Sequence, residues 1–172
     1  MGITAFTSAP LLANEERRAQ AVLASGLLRV ADDPRLAALV TTARKEFDVA
    51  IAAISIILDD WQHLIVADGV PRGVYARRTS LCGHAIGQPA EIFCVADASS
   101  DPRFADNPAV EGAGGLRFYA GAPLLDADGI ALGTLCVLDT APRDTIAPDA
   151  AERLRALATE IMALAPGNKP PI

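Results

Sequence analysis

An α+β fold built on an antiparallel sheet is the class this sequence predicts, and three features carry the prediction. Apolar residues recur at helical spacing near both ends of the chain. Between them the pattern changes to runs rich in β-branched residues. Tight turns join successive runs, so neighbouring strands must run antiparallel.

Asn14 is placed to cap a helix that begins at Glu15, with Glu15 and Glu16 in its first turn. Ala19, Val22, Leu23, Leu27 and Val30 then predict one apolar stripe over about four turns. Asp33-Pro34 is a second start signal, a capping residue followed by proline at the first helical position. Leu36, Leu39, Val40, Ala43 and Phe47 form the stripe of that helix. Val49 to Leu58 is apolar on both faces, as a central strand requires. Asp59-Asp60 turns the chain into a return strand from Trp61 to Ala67. Asp68-Gly69 and Pro71-Arg72-Gly73 are breakers that open a connecting segment. A short helix is expected over Leu81 to Ile86 and a strand over Glu91 to Val95. The irregular stretch from Asp97 to Gly115 is long enough to be functional or mobile. Arg117 to Leu125 and Ile130 to Leu138 predict a hairpin around the turn Asp126 to Gly129. Pro148 opens a last helix with Leu154, Leu157, Ala158, Ile161 and Leu164 on one side.

The 172 residues fit one domain. Its expected limits are residues 14–165, with flexible ends at 1–13 and 166–172. A net charge of −6 argues against a nucleic-acid partner, which would call for a basic face. Arg72, Arg77 and Arg78 are the one local basic cluster, read as a solvated loop ahead of an anion site. No apolar run is long enough to cross a bilayer and no signal peptide is recognisable, so a cytoplasmic protein without membrane contact is expected. Cys82, Cys94 and Cys136 are too few, and odd in number, for a disulfide framework. With two histidines and no CxxC pair, no metal site is expected.

Several longer motifs follow one another in a recognisable order. They are Ser80-Leu81-Cys82-Gly83-His84-Ala85-Ile86, then Val95-Ala96-Asp97-Ala98, then Asp101-Pro102-Arg103-Phe104-Ala105-Asp106-Asn107-Pro108. Arg117-Phe118-Tyr119-Ala120-Gly121-Ala122-Pro123-Leu124 and the run Leu132 to Asp139 complete the set. From about Arg17 to Leu164 the chain resembles bacterial GAF domains. The resemblance implies a GAF/PAS-like, six-stranded antiparallel sheet. It places the terminal helices on one face and a ligand pocket on the other. It implies a stand-alone sensor or regulatory module without catalytic output. Such a module would act as a homodimer through its terminal helices, bind a small molecule, and signal to a separate kinase or cyclase.

The candidate ligand-binding residues are Cys82, His84, Asp97, Arg103, Phe104, Arg117, Tyr119 and Gly121. Cys82 and His84 resemble a pigment-attachment pair, but a glycine intervenes where histidine usually follows cysteine directly. Bilin and haem are therefore disfavoured, and the sequence requires no cofactor. Arg117 is read either as a clamp for an anion or, in preference, as the ion-pair partner of Asp97. Phe118 and Tyr119 must face opposite sides of their strand, with Tyr119 assigned to the pocket side. Gly121 and Gly133 leave room either for a ligand or for close packing. Cys94 and Cys136 are read as buried and inert.

Two other readings stand beside the sensor. Free methionine-(R)-sulfoxide reductases are similar GAF proteins that work through cysteine thiolates, but Glu111–Arg117, where their attacking cysteine falls, holds none here. The other is a ligand-free dimerisation or adaptor module.

Overall fold

The computed structural model describes residues 5–168. The expected loose ends at 1–13 and 166–172 lie partly outside the described residues, at 1–4 and 169–172. The helices are α1 (Glu15–Ser25), α2 (Pro34–Glu46), α3 (Leu81–Ala85) and α4 (Pro148–Ala163). The strands are β1 (Ile51–Leu58), β2 (Trp61–Asp68), β3 (Gly73–Ala76), β4 (Phe93–Val95), β5 (Phe118–Leu125) and β6 (Ala131–Asp139). They form one antiparallel sheet in the order β3-β2-β1-β6-β5-β4.

The sheet has two buried faces. On one, Ile54 and Ile56 of β1, Val137 of β6 and Leu124 of β5 pack against α1, α2 and α4. Val22, Leu36, Val40, Leu157 and Ile161 supply the helix side of that core. On the other face, Ala53, Cys136, Tyr119 and Phe93 pack beneath α3 and the long loop after β4. Burial on both faces explains why β1, β5 and β6 read as nearly unbroken apolar runs.

Local chemistry sets the element ends. Asp33 caps α2 by accepting a hydrogen bond from the Arg35 amide at 2.9 Å, and Pro34 sits at the first helical position. Asp59 adopts φ 52° in the tight β1–β2 turn. Helix α1 is shorter than its stripe predicts. Gly26, at φ 75°, stops it after Ser25, and Leu27–Arg29 continues only as a single 3-10 turn. Leu23, within α1, stands 59% exposed, because Arg18, Val22 and Ser25 form the buried side of the helix. Strand β3 went unread in the connecting segment, because four residues between Gly73 and Arg77 give no alternation to recognise.

The Arg72, Arg77 and Arg78 cluster is not a uniformly solvated loop. Arg72 does pair with Asp32 at the surface, at 2.7 Å. Arg77, however, is 2% exposed and bound to Glu15. Its guanidinium also donates to the carbonyls of Asp59 and Pro10, at 3.0 and 3.1 Å. Arg18 is buried beside it, donating to Ile57 O at 2.7 Å and Ala131 O at 2.6 Å. One carboxylate, Glu15, thus faces two buried guanidinium groups. This lock joins α1, the ends of β1 and β6, and the segment before α1.

Burial alone raises the Glu15 pKa. The hydrogen bonds from Arg77 and the Leu12 amide, with the charges of Arg18 and Arg77, outweigh it and hold the group at about 2. A folded-state value below the unfolded one stabilises the fold above the unfolded pKa, and that stability is lost as pH falls through the folded value. Glu15→Gln is therefore expected to cost about 3 kcal/mol at neutral pH, and to flatten the loss of stability between about pH 4.5 and pH 2. Urea unfolding of wild type and variant across that pH window checks both outcomes.

Candidate functional site

The pairing register builds the second face from small residues. Ala53 of β1 lies opposite Cys136 of β6, and Cys136 lies opposite Gly121 of β5. One step along, Ile51, Leu138 and Tyr119 form the next row, and on the other side come Ser55, Thr134 and Pro123. Directly opposed residues point to the same side of a sheet. A cavity of about 280 Å³ opens over these rows. Ile51, Ala53, Tyr119, Cys136 and Leu138 make its floor. Gln62, Leu64 and Tyr75 of β2 and β3 form one wall, and Thr79 to Cys82 form the other. Ala109, Gly114 and Leu116 of the long loop cover it.

Gly121 is what lets Tyr119 lie flat across its own strand. A Cβ at position 121 would stand 2.3 Å from the Tyr119 hydroxyl oxygen and 2.8 Å from Cζ. The room that glycine leaves is therefore filled by the Tyr119 ring. The hydroxyl then reaches Cys82, donating to its sulfur at 3.1 Å. Thr134 Oγ1 donates to the same sulfur at 3.2 Å. Cys136 Sγ stands 3.8 Å from Cys82 Sγ and 3.5 Å from Ala53 O. Ser55 Oγ, fully buried on this face, has no hydrogen-bond partner of ordinary length.

These contacts separate the two thiols. Burial pushes Cys82 up, but its hydrogen-bond contacts with Cys136, Thr134 and Tyr119 favour its thiolate and bring it down. Cys136 moves well up, first through its hydrogen-bond contact with Cys82, then through burial and the charge that forms at Cys82. Tyr119 is also raised, first by burial and then by Cys82. Cys136 is buried, as the sequence suggests, and its sulfur touches that of Cys82.

The other sequence candidates sit elsewhere. His84 is on α3 but turns away from the cavity, its ring 5.0 Å edge-on from Phe104 and 6.3 Å from Phe93. Its Nε2 lies 3.1 Å from Thr7 O, and burial lowers its pKa. Arg103 covers Phe93 and Phe104 at 5.4 and 5.0 Å and pairs with Asp101 at 2.7 Å. Asp97 caps the next turn, accepting from the Ser99 amide and hydroxyl at 3.0 and 2.6 Å. The preferred Asp97–Arg117 ion pair is not formed. Arg117 instead donates to the carbonyls of Val110 and Gly112, at 2.6 and 2.8 Å, and holds the loop closed. Asn107 adds a second tie, donating to Thr79 O at 3.1 Å while accepting from the Ala109 amide. Of the eight candidates, the structure brings Cys82 and Tyr119 to the cavity, with Gly121 shaping the ring position.

The chain belongs to the GAF domain family, whose model matches residues 33–164. It is a GAF domain of the sensory and regulatory type, and such domains commonly bind small molecules or protein partners. It is 39% identical over 154 residues, 90% of its length, to a Pseudomonas aeruginosa protein named cyclic di-GMP phosphodiesterase. The chain spans 26% of that relative. The GAF domain of an Acinetobacter phosphoenolpyruvate-protein phosphotransferase superposes with TM-score 0.61 at 18% identity, covering 89% of this chain and 93% of that one. A free methionine-R-sulfoxide reductase from Neisseria meningitidis matches with TM-score 0.61 at 16% identity, covering 96% of this chain and 98% of that one. At these identities the two structures share the fold. The expectation of a chain with no part in catalysis is corrected by the first relative, which is itself named as an enzyme. Among the described residues no helix is long and apolar enough to cross a membrane.

The packing of Tyr119 on Gly121 gives a direct test. Gly121→Ala is expected to destabilise the fold by about 1–3 kcal/mol, the usual cost of overpacking. In a Tyr119→Ala background the same change is expected to cost well under half as much, since the ring it strikes is gone. Denaturant unfolding of the two single variants and the double variant measures the coupling.

Proposed function

We propose that this GAF domain senses a small, uncharged, largely apolar molecule and uses its occupancy to regulate cyclic di-GMP turnover. The carrying observation is the lining of the cavity, which among the described residues contains no Asp, Glu, Lys, Arg or His. An anion entering it would shed water and meet no counter-charge, at a cost of several kcal/mol per charge. Ile51, Ala53, Leu64 and Leu138 favour an apolar body, while Gln62, Thr79, Ser80 and Thr140 offer neutral hydrogen-bonding groups that fix orientation. The volume suits a ligand no larger than a single small ring system.

The Pseudomonas aeruginosa relative supplies the signalling context. Its name connects the segment this chain matches with a protein acting on cyclic di-GMP, in place of the kinase or cyclase expected from the sequence. The anionic dinucleotide fits that scheme as the molecule being turned over, and the neutral cavity fits the regulator.

Helices α1 and α4 lie on the opposite face of the sheet, and in this reading they pass the signal to a second copy. Leu23, exposed on α1, supports a homodimer seam there. Leu23→Glu is then expected to reduce the mass seen by light scattering from dimer to monomer; an unchanged mass removes the seam.

Ligand class is tested by thermal shift with indole, a neutral aromatic probe, against cyclic di-GMP. Indole is expected to raise the melting temperature saturably, and cyclic di-GMP to leave it unchanged. Ala109→Trp, which fills the mouth from an exposed loop position, is expected to abolish the indole response. A phosphodiesterase carrying this segment should change its hydrolysis rate with indole and lose that response with Ala109→Trp. Stabilisation by cyclic di-GMP that disappears in Ala109→Trp would refute the neutral-ligand reading.

A further inference from the structure

We infer that Cys82 and Cys136 form a dithiol modification site that a hydroperoxide entering the cavity converts to a disulfide. The pair is set up by geometry. Cys82 rides on α3, a helix of five residues at the cavity wall, whereas Cys136 is fixed in β6 near the centre of the sheet. Both line the cavity, and their sulfurs are 3.8 Å apart. A disulfide needs about 2 Å, so closing the gap asks for a small advance of α3 or a side-chain rotation, with no change in the sheet.

The surroundings decide which sulfur reacts first. Cys82 Sγ receives hydrogen bonds from Tyr119 and Thr134, which favour its thiolate. No cation lines the cavity, so the neutral donors do this work. Cys94 provides an internal contrast. It lies opposite Ala120 and is half-buried against the helix-side core, away from the cavity, with no second thiol against it among the described residues and its pKa raised by desolvation.

The steps balance with hydrogen peroxide as oxidant. Cys82 loses its proton, and its thiolate attacks one peroxide oxygen. The O–O bond breaks, leaving Cys82 as sulfenic acid, and the departing hydroxide takes up the released proton as water. Cys136 sulfur then attacks Cys82 sulfur. The S–O bond breaks, hydroxide leaves with the Cys136 proton as a second water, and the S–S bond forms. Two thiols are oxidised and one peroxide is reduced. The disulfide would draw α3 onto the sheet and shrink the cavity, so oxidation and ligand binding compete for one space.

The test treats the intact chain with hydrogen peroxide, blocks remaining thiols after denaturation, and maps cysteine peptides by mass spectrometry. The expected product is one peptide pair joined through Cys82 and Cys136, with Cys94 alkylated. Cys136→Ser is expected to stop at Cys82 sulfenic acid, captured by dimedone. Cys82→Ser is expected to slow oxidation of Cys136 by about tenfold or more. Tyr119→Phe is expected to slow Cys82 oxidation by about tenfold at pH 6 and to move its pH profile upward, a change that loose packing alone would not produce. If Cys136→Ser does not fold, Cys136→Ala replaces it. Cys82 and Cys136 both remaining free after Cys94 has reacted, or a disulfide that includes Cys94, would overturn the assignment. Binding of indole by the reduced protein is read separately, so failure here leaves the ligand reading standing.

Discussion

The register of three central strands governs the rest of the molecule. Ala53, Cys136 and Gly121 stand in one row across β1, β6 and β5, and none carries a large side chain. That row makes space above the sheet, and Tyr119 is the residue that occupies part of it. A slip of one residue in either pairing would turn Tyr119 and Cys136 into the helix-side core and bring Phe118 or Val137 to the cavity. The opposite face resists such a slip, because Ile54, Ile56, Leu124 and Leu135 are all buried against helices. Packing on one face thus fixes the chemistry on the other.

Charge plays its part away from the cavity. The Glu15, Arg18 and Arg77 lock lies where α1 meets the sheet and the segment leading to α3. Arg117 and Arg103 are used within the loop region, one on backbone carbonyls and one on aromatic rings. The arginines that might have met an anionic ligand are therefore committed to structure. What remains around the cavity is apolar or neutral, and that division supports a sensor of uncharged molecules and a thiol pair tuned by hydroxyl groups.

Much of this fold was legible in the sequence because its signals are local. The β-branched run of β1, the Asp126–Gly129 turn and the Asp33-Pro34 start each sit within a few residues. Alternation alone placed Phe118 and Tyr119 on opposite faces. What escaped was short or distant. Strand β3 has four residues at the sheet edge, with Val74 and Tyr75 largely exposed, so no buried stripe marks it. Arg77 looked solvated because its partner, Glu15, is 62 positions away. The contact of Cys136 with Cys82 went unread because it spans 54 positions and depends on where α3 lands. The period-two spacing of Thr134 and Cys136 was the available clue, since it places both on the face of Ala53. No local pattern reveals that Arg117 caps carbonyls in preference to pairing with Asp97.

Xenon titration followed by methyl NMR tests the central claim most directly, because xenon enters apolar cavities without needing a charge or a hydrogen bond. The account predicts saturable shifts for the methyl groups of Ala53, Leu64 and Leu138, which line the cavity, with Leu132 and Leu154 on the helix side unmoved. Shifts confined to the helix-side methyls, or no saturable shift at Ala53 and Leu138, would contradict it.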